Sequence, residues 1–268
     1  MKLRRIVAIA QAAISTLTGI SRAGLTPKVV KPPAAERILV LAPHADDETI
    51  GCGGIIKQYN QAGKFVEVVI LTDGRLGDPD IRAMPDSRHR LECEAKLIEL
   101  RRQEAQRAAD ILGVSKLTFL DAYDSRLEYF EADFLDALLT RYDATNPDIV
   151  FVPFFLDAHP DHRAANSCLD ALYRQRPSSQ HVLCAAYEIW SPLAANTLVN
   201  ISSQASAKWQ AIGQYNSQLK DVDYLKGIQG LNRYRAVTGF LPDGAYAEAF
   251  FISPITEYLE LYRQYLNV

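Results

Sequence analysis

One short segment of the chain carries side chains that can bind a metal ion. Residues 43–48 read Pro-His-Ala-Asp-Asp-Glu and follow an apolar run at 38–42, so they should lie at the carboxyl end of a buried strand, where open α/β sheets bind ligands. The imidazole of His44 and the carboxylates of Asp46 and Asp47 suit a divalent cation, with one carboxylate left over for proton transfer. The alternative is an acidic helix N-cap, for which one aspartate would suffice.

A second segment should deliver imidazoles to the same edge of the sheet. Residues 157–163 read Asp-Ala-His-Pro-Asp-His-Arg and follow an apolar run at 149–153. His159 and His162 flank a proline that should fix the turn, and Asp161 can cap the following helix or orient a histidine. A purely structural turn needs neither histidine. The two segments, called here the first and the second motif, therefore together favour a metal site over a simple helix cap.

The elements around these motifs alternate between short apolar runs and helical patterns from residue 37 onward. This alternation predicts βαβ units and an α/β fold with a Rossmann-like, mostly parallel sheet and helices on both faces. The predicted strands are 37–42, 65–71, 117–120, 148–153 and one near 182–188, and the predicted helices are 50–62, 90–112, 131–145 and 162–173. Beyond residue 191, a helical pattern at 205–219 and the stretch 227–234 indicate a C-terminal extension that flanks the cleft.

Composition limits the classes of function. With 268 residues, 48% apolar and 23% charged, the chain can bury one large α/β core. The net charge is −3 and no long basic run occurs past the first residues, which argues against a nucleic-acid partner. The four cysteines form no C-x-x-C pair, which argues against a thiolate zinc site and a disulfide framework and favours a reducing compartment.

The ends of the chain are predicted to lie outside the main domain at 37–252. A basic start at 1–5 and an apolar stretch at 6–20 resemble a signal peptide or a surface-lying amphipathic helix, too short to span a bilayer. Polar residues interrupt the stretch, so we interpret 1–36 as a leader or accessory helix (1–25) followed by a proline-containing linker (26–36), and 253–268 as a C-terminal helix. These features predict a cytoplasmic protein with at most peripheral membrane contact.

Both motifs resemble those of the PIG-L/LmbE-like N-acetylglucosaminyl deacetylases, whose pattern is A-H-P-D-D-E after the first strand and H-P-D-H after a later one. The resemblance extends over roughly residues 37 to 252, including Thr-Asp-Gly at 72–74 and Tyr-Ala-Glu-Ala-Phe at 246–250. Ala45 stands where the family usually has proline, which alters turn rigidity but removes no functional group. Some members also place a tyrosine before the second motif, where this chain has Asp-Ala at 157–158.

The resemblance implies a zinc-dependent N-deacetylase that acts on an N-acetylated amino sugar. The implied metal ligands are His44, Asp47 and His162. Such a ligand set also accepts Fe²⁺, Mn²⁺ or Co²⁺. Asp46 would accept a proton from the attacking water, protonated His159 would stabilise the oxyanion, and Asp161 would keep His159 charged and oriented. The proton for the leaving amine would come from Asp46 or His159.

The sequence says less about the residues that contact the substrate than about the metal ligands. Arg101 matches a family position that contacts the polar or phosphate-bearing part of the substrate, with a helix-surface ion pair as the alternative. Asp124 is a candidate for a sugar hydroxyl, and Glu188 and Trp190 could line the cleft or be ordinary strand residues. The expected partner is a small-molecule, lipid-linked or glycan-linked amino sugar. The alternatives are a hydrolase of another small amide and a non-catalytic sugar-binding protein, and the sequence predicts no oligomeric state.

Overall fold

The structure, a computed structural model, describes residues 27–176 and 181–266. Within these ranges the chain forms one eight-stranded sheet with helices packed on both faces, as predicted. The strands are β1 (Lys28–Val30), β2 (Arg37–Ala42), β3 (Phe65–Thr72), β4 (Lys116–Ala122), β5 (Ile149–Pro153), β6 (Leu183–Tyr187), β7 (Thr197–Asn200) and β8 (Ala247–Pro254). The helices are α1 (Asp47–Gln61), α2 (Pro79–Ala83), α3 (Arg88–Leu112), α4 (Ala132–Thr145), α5 (Pro160–Gln175), α6 (Ala205–Ile212), α7 (Asn216–Leu219), α8 (Tyr224–Thr238) and α9 (Ile255–Leu266), with a 3₁₀ turn at Leu127–Tyr129.

The sheet topology brings the two motifs together. The strand order is β1-β7-β8-β6-β5-β2-β3-β4, and β8 runs antiparallel to both of its neighbours whereas the other described pairs are parallel. The chain leaves β2 for β3 on one side and leaves β5 for β6 on the other. The carboxyl ends of β2 and β5 therefore flank a switch point, where open α/β sheets form a binding crevice.

The central strand β2 shows why the first motif follows a continuous apolar run. Ile38 and Val40 pack with α1 and α3 in one core cluster, whereas Leu39 and Leu41 pack with α4, α5 and α9 in the other. All four side chains are fully buried. A strand covered on both faces needs an apolar residue at each position, so its sequence does not alternate.

The five predicted strands correspond to β2 through β6, but three strands differ from the sequence prediction. Residues 26–36, interpreted as a linker, contain the edge strand β1, which pairs with β7. β1 and β7 have only three and four residues, too few to show a periodic pattern. β8 enters the sheet antiparallel and ends directly before α9.

The predicted leader at 1–25 lies outside the described residues. In the part of the chain that the structure describes, no helix is both long and apolar enough to cross a membrane. The membrane contact expected for the N-terminal segment therefore stays a prediction.

The C-terminal elements pack against α1 around a buried ion pair. Lys208 on α6 donates to Oε1 of Glu248 on β8 at 2.7 Å, and neither side chain is exposed. The same carboxylate accepts the main-chain N–H groups of Gly54 at 2.7 Å and Ile55 at 2.8 Å, which offsets part of the cost of burying the charges. A Cβ at Gly54 would lie 2.5 Å from Ile201, so glycine is required for this close approach. The helix that carries the first motif is thereby fixed to the C-terminal extension.

Candidate metal centre and active site

Three buried side chains of the two motifs converge at the carboxyl edge of the sheet. His44 follows β2, Asp47 opens α1 and His162 lies in the first turn of α5. Oδ2 of Asp47 lies 3.2 Å from Nδ1 of His44 and 3.3 Å from Nε2 of His162. One carboxylate oxygen thus faces one nitrogen of each imidazole, and these three residues are the ones implied as metal ligands by the resemblance.

A carboxylate lies behind each of these imidazoles. Nδ1 of His162 lies 2.9 Å from Oδ1 of Asp157, and Nε2 of His44 lies 3.1 Å from Oδ2 of Asp161 and 3.4 Å from Oδ1 of Asp124. Metal-bound histidines commonly direct their second nitrogen to such a carboxylate, which fixes the tautomer and the ring orientation. The nitrogens left for a cation are then Nδ1 of His44 and Nε2 of His162.

The donor atoms fit a divalent cation. Nε2 of His162 is buried and makes no hydrogen bond with any of the described residues, although Asp47 is close. Buried polar atoms are rarely left in this state unless a ligand completes them. Two imidazole nitrogens and one carboxylate oxygen are also the number and type of protein ligands found in catalytic zinc sites.

Two groups of side chains, both different from the set His44, Asp47 and His162, place their donor atoms within 4.8 Å of one another. His44, His159 and His162 each place one nitrogen within 4.8 Å of the others, and His44 does the same with one oxygen each of Asp124 and Asp161. The two carboxylates already accept main-chain hydrogen bonds, however, which commit Asp161 to the loop after β4 and Asp124 to the loop after β3. These bonds come from Ser125 at 2.7 Å and Leu127 at 3.1 Å to Asp161, and from Leu76 at 3.0 Å to Asp124.

The three converging side chains His44, Asp47 and His162 stabilise one another's charged forms. Burial would lower the pKa of His162, but Asp47 and Asp157 raise it to about 9. Burial would likewise raise the pKa of Asp47, yet the two histidines hold it well below its ordinary value. Asp124, Asp161 and Asp47 raise the pKa of His44 against the effect of burial. The site therefore attracts positive charge.

Asp46 lies beside this group in an unusual backbone conformation. Its φ is 136°, a region that residues with a Cβ rarely adopt, and its carboxylate is 3.6 Å from the guanidinium of Arg101. Burial raises the pKa of Asp46 to about 7, although Arg101 acts in the opposite direction. A carboxylate with such a pKa can both accept and return a proton near neutral pH.

Asp161 and His159 differ from the sequence prediction. The carboxylate of Asp161 was expected to orient His159 but contacts His44 instead, and it is the main-chain N–H of Asp161 that donates to Nδ1 of His159, at 3.2 Å. Burial and the positive charge of His44 and His162 lower the pKa of His159 to about 4. These surroundings disfavour the protonated form of His159, and its expected role as a charged oxyanion donor stays a prediction.

Arg101 is buried at the cleft and is not exposed on the surface of its helix. Its side chain is almost fully buried, so the alternative of a helix-surface ion pair is wrong. The guanidinium donates to the main-chain oxygens of Ala45 at 2.9 Å and Gly74 at 3.2 Å, which ties the first motif to the loop after β3. Arg101 still lines the cleft, as does Asp124. Their predicted contacts with substrate stay predictions.

Sequence reasoning missed several residues that support the site. Asp157 accepts hydrogen bonds from the main-chain N–H groups of His159, Trp190 and Ser191 as well as facing His162. Its position in the second motif was a signal, but no role was assigned to it. Trp190 does line the cleft, whereas Glu188 is buried in an ion pair with Arg235.

Comparison with known proteins decides the family. Residues 39–173, which are half of the chain and contain both motifs, match the family described as GlcNAc-PI de-N-acetylase, PIG-L. The chain belongs to this family. The predicted membership is thus confirmed, and the PIG-L match covers β2 to α5.

Two relatives and one solved structure are similar to the chain. It is 35% identical over 134 residues to a diacetylchitobiose deacetylase of Thermococcus kodakarensis, a match that covers 48% of this chain and about half, 46%, of that relative. It is 27% identical over 189 residues to a probable N-acetyl-alpha-D-glucosaminyl L-malate deacetylase 2 of Bacillus cereus, covering 68% of this chain and 83% of that protein. The solved N,N'-diacetylchitobiose deacetylase from Pyrococcus horikoshii superposes with a TM-score of 0.69 at 25% identity, over 84% of this chain and 86% of the other.

Proposed function

We propose that this chain is a metal-dependent N-deacetylase that removes the acetyl group from an N-acetylated amino sugar. The observation that carries the proposal is the position of Asp47 Oδ2 between one nitrogen of His44 and one of His162, with Asp46 buried beside it. Relatives that are named as deacetylases of N-acetylglucosamine-containing compounds support the choice of substrate class.

His44, Asp47 and His162 would hold the metal ion. The carboxylates behind both imidazoles support this ligand set, as does Nε2 of His162, which makes no hydrogen bond with the described residues. Zinc suits two imidazoles and one carboxylate, and Fe²⁺, Mn²⁺ and Co²⁺ are alternatives. When bound, such an ion polarises the amide carbonyl and lowers the pKa of a neighbouring water.

Asp46 acts as the general base. Its carboxylate takes a proton from the water whose oxygen attacks the acetamide carbon, and a pKa of about 7 leaves a large fraction ionised at neutral pH. When the C–N bond breaks, the amine needs a proton. Asp46 supplies it, because it has just received one and because a neutral His159 could give up its one ring proton only by becoming an anion. The products are acetate and the free amino sugar.

His159 acts as a neutral hydrogen-bond donor. Its Nδ1 accepts the N–H of Asp161, so the proton of the neutral ring is on Nε2. His159 lines the cleft. An N–H group directed at the carbonyl oxygen would stabilise the charge that develops there during attack, without requiring the protonated form that the sequence analysis expected.

The test is acetate release from N-acetylglucosamine, N,N'-diacetylchitobiose and N-acetylglucosaminyl malate before and after removal of metal with a chelator. The proposal predicts release that is lost on chelation and restored by Zn²⁺ or another divalent ion. Protein with a full complement of metal that releases acetate from none of the three compounds would contradict it. Binding of the sugars without release would identify a sugar-binding relative, and release from other amides alone would identify a different amidase.

A further inference from the structure

One face of helix α8 is exposed and apolar, although it lies outside the cleft. Tyr234 is 60% exposed, Val237 is 56% exposed and Phe240, just after the helix, is 87% exposed. None of the described residues that line the cleft belongs to this face. Exposed apolar groups gathered on one surface are typical of a binding interface. The residues of this surface, called here the α8 face, are Gly227, Gly230, Tyr234, Val237 and Phe240.

The two glycines of the α8 face lie inside the helix without a structural reason within the described part of the chain. A Cβ at Gly227 or at Gly230 would meet none of the described atoms within 4 Å. Glycine in a helix interior is less favourable than alanine, and it is used where another backbone must approach closely. Two open glycines beside large exposed apolar groups therefore indicate that a further segment packs closely on this helix.

The N-terminal part of the chain enters the sheet beside the α8 face. The described residues begin at 27, directly before the edge strand β1. Cγ2 of Val29 on β1 lies 3.1 Å from the position that a Cβ at Gly239 would take, and Gly239 directly follows α8. The segment that precedes β1 therefore joins the sheet next to the C-terminal end of the face.

Residues 6–20 have the length and the apolar pattern to cover the α8 face. This stretch and α8 each contain 15 residues, which as helices would be about 22 Å long. The connecting residues 21–26 can span at most about 20 Å, enough to lay the stretch along the helix. Apolar residues recur in it at the spacing of one helix face, at Ile6, Ile9, Ala13, Leu17 and Ile20.

Charges at the two ends of the α8 face match those at the two ends of this stretch. Exposed carboxylates flank the face, with Asp221 and Asp223 before α8 and Asp243 after it. Basic residues flank the stretch, within 2–5 and at 22, and the first 35 residues contain no acidic residue. The carboxylates attract a basic segment, whereas they would oppose an anionic lipid surface.

We propose that residues 6–20 pack along the α8 face of the same chain as an accessory segment. Their apolar residues cover the large side chains of the face, and their backbone comes close to Gly227 and Gly230. The segment thereby covers a helix whose first residue, Tyr224, lines the cleft. This inference does not rest on the proposed function, because no residue of the α8 face belongs to the metal centre or the proposed base.

The first test measures the midpoint of urea unfolding for Gly230→Ala in the full chain. On an open face the substitution should raise the midpoint, because alanine favours the helix and meets no atom. The proposal predicts a lower midpoint, because the new methyl group meets the packed segment. In the chain that also carries Ile9→Asp and Leu17→Asp, which should detach the segment, Gly230→Ala should raise the midpoint. The matched control is Gln11→Asp with Ser15→Asp, at polar positions of the same segment, which should keep the wild-type behaviour.

The second test measures how fast a maleimide labels Val237→Cys in a chain that carries Cys93→Ser. The remaining three cysteines are buried, so the new thiol is the reporter. Leu91→Cys is the reference, because Leu91 is a comparably exposed apolar residue on α3. The proposal predicts labelling of Val237→Cys at least about tenfold slower than of the reference, and recovery of that rate with Ile9→Asp and Leu17→Asp.

Several results would overturn the proposed packing. One is a midpoint that Gly230→Ala raises equally with and without the aspartates in the segment, and another is equal labelling of Val237→Cys and Leu91→Cys. Binding to vesicles of phosphatidylcholine and phosphatidylglycerol that is lost in Val237→Asp would assign the α8 face to a lipid surface. A dimer that Val237→Asp dissociates would assign it to a second copy. An intact mass that shows residues 1–25 to be removed would exclude the segment as the occupant.

Discussion

The main-chain N–H of Asp46 donates to Oε2 of Glu48 at 3.1 Å. Because Asp46 has a φ of 136°, this bond helps to hold the proposed base in a strained turn. Oε1 of Glu48 in turn accepts hydrogen bonds from Thr49 and from the hydroxyl of Tyr215. Tyr215 lies between α6 and α7, so the base is supported by a residue of the C-terminal extension.

Tyr215→Phe should therefore reduce catalysis through Asp46. The substitution removes one donor to the buried Glu48, and we expect kcat to fall about tenfold because a loosened base is poorly aligned. The free energy of unfolding should fall by about 1 kcal/mol for the lost hydrogen bond. Acetate release and urea unfolding measure the two effects.

The matched control for this prediction is Tyr59→Phe. The Tyr59 hydroxyl donates to the main-chain oxygen of Pro33 at 2.9 Å, away from the cleft, so its loss should cost similar stability without changing kcat. If both variants had the same kcat, the support of Asp46 by Tyr215 would be purely structural.

Asp157→Asn should weaken metal binding. Asparagine keeps the shape of the side chain but removes the charge that faces Nδ1 of His162, and loss of such a carboxylate typically lowers metal affinity about 10-fold to 100-fold. Competition with a chelating dye gives the metal Kd. Asp143→Asn, at an exposed ion pair with Arg176, should leave the Kd unchanged. Equal affinities of Asp157→Asn and wild type would contradict the role of Asp157.

Glu67 on β3, which is not part of either motif, should make the free energy of unfolding depend on pH. Burial would raise the pKa of Glu67, but hydrogen bonds from Arg141, Thr145 and Thr118 outweigh it and lower the pKa below its ordinary value of 4.5. A carboxyl group whose pKa is lower in the folded than in the unfolded state stabilises the fold. The full stabilisation is present when the pH is above the pKa of the unfolded state. That stabilisation is lost as the pH falls through the folded pKa.

Glu67→Gln should therefore lower the free energy of unfolding by about 2 kcal/mol at pH 7 and by clearly less at pH 3. Urea unfolding at both pH values measures the difference from wild type. Glu99→Gln, on the exposed surface of α3, should show no such change with pH. A difference for Glu67→Gln that stayed constant between pH 7 and pH 3 would contradict the predicted coupling.

The sequence predicted the fold and the gathering of the two motifs because the responsible signals are local. The apolar runs before His44 and before His159 mark β2 and β5, and parallel strands direct their carboxyl ends to one edge of the sheet. β1 and β7 were missed because a strand of three or four residues is too short to show a periodic pattern of apolar residues. Only their pairing within the sheet identifies them as strands.

The detailed contacts of the site could not be predicted, because tertiary packing decides between partners that are equally plausible in sequence. A carboxylate at Asp161 could reach His159 or His44. The amides of Ser125 and Leu127, in the loop after β4, hold it against His44. The contact between Glu48 and Tyr215 joins residues that no pattern in the sequence links.

The most direct test of the assigned base and ligands is acetate release from N,N'-diacetylchitobiose by Asp46→Asn protein whose metal content is measured in the same sample. The assignment predicts a metal content equal to that of wild type and a kcat lower by about 10² to 10⁴-fold, because only proton transfer is removed. Loss of the metal from Asp46→Asn, or turnover at the wild-type rate with the metal retained, would contradict it.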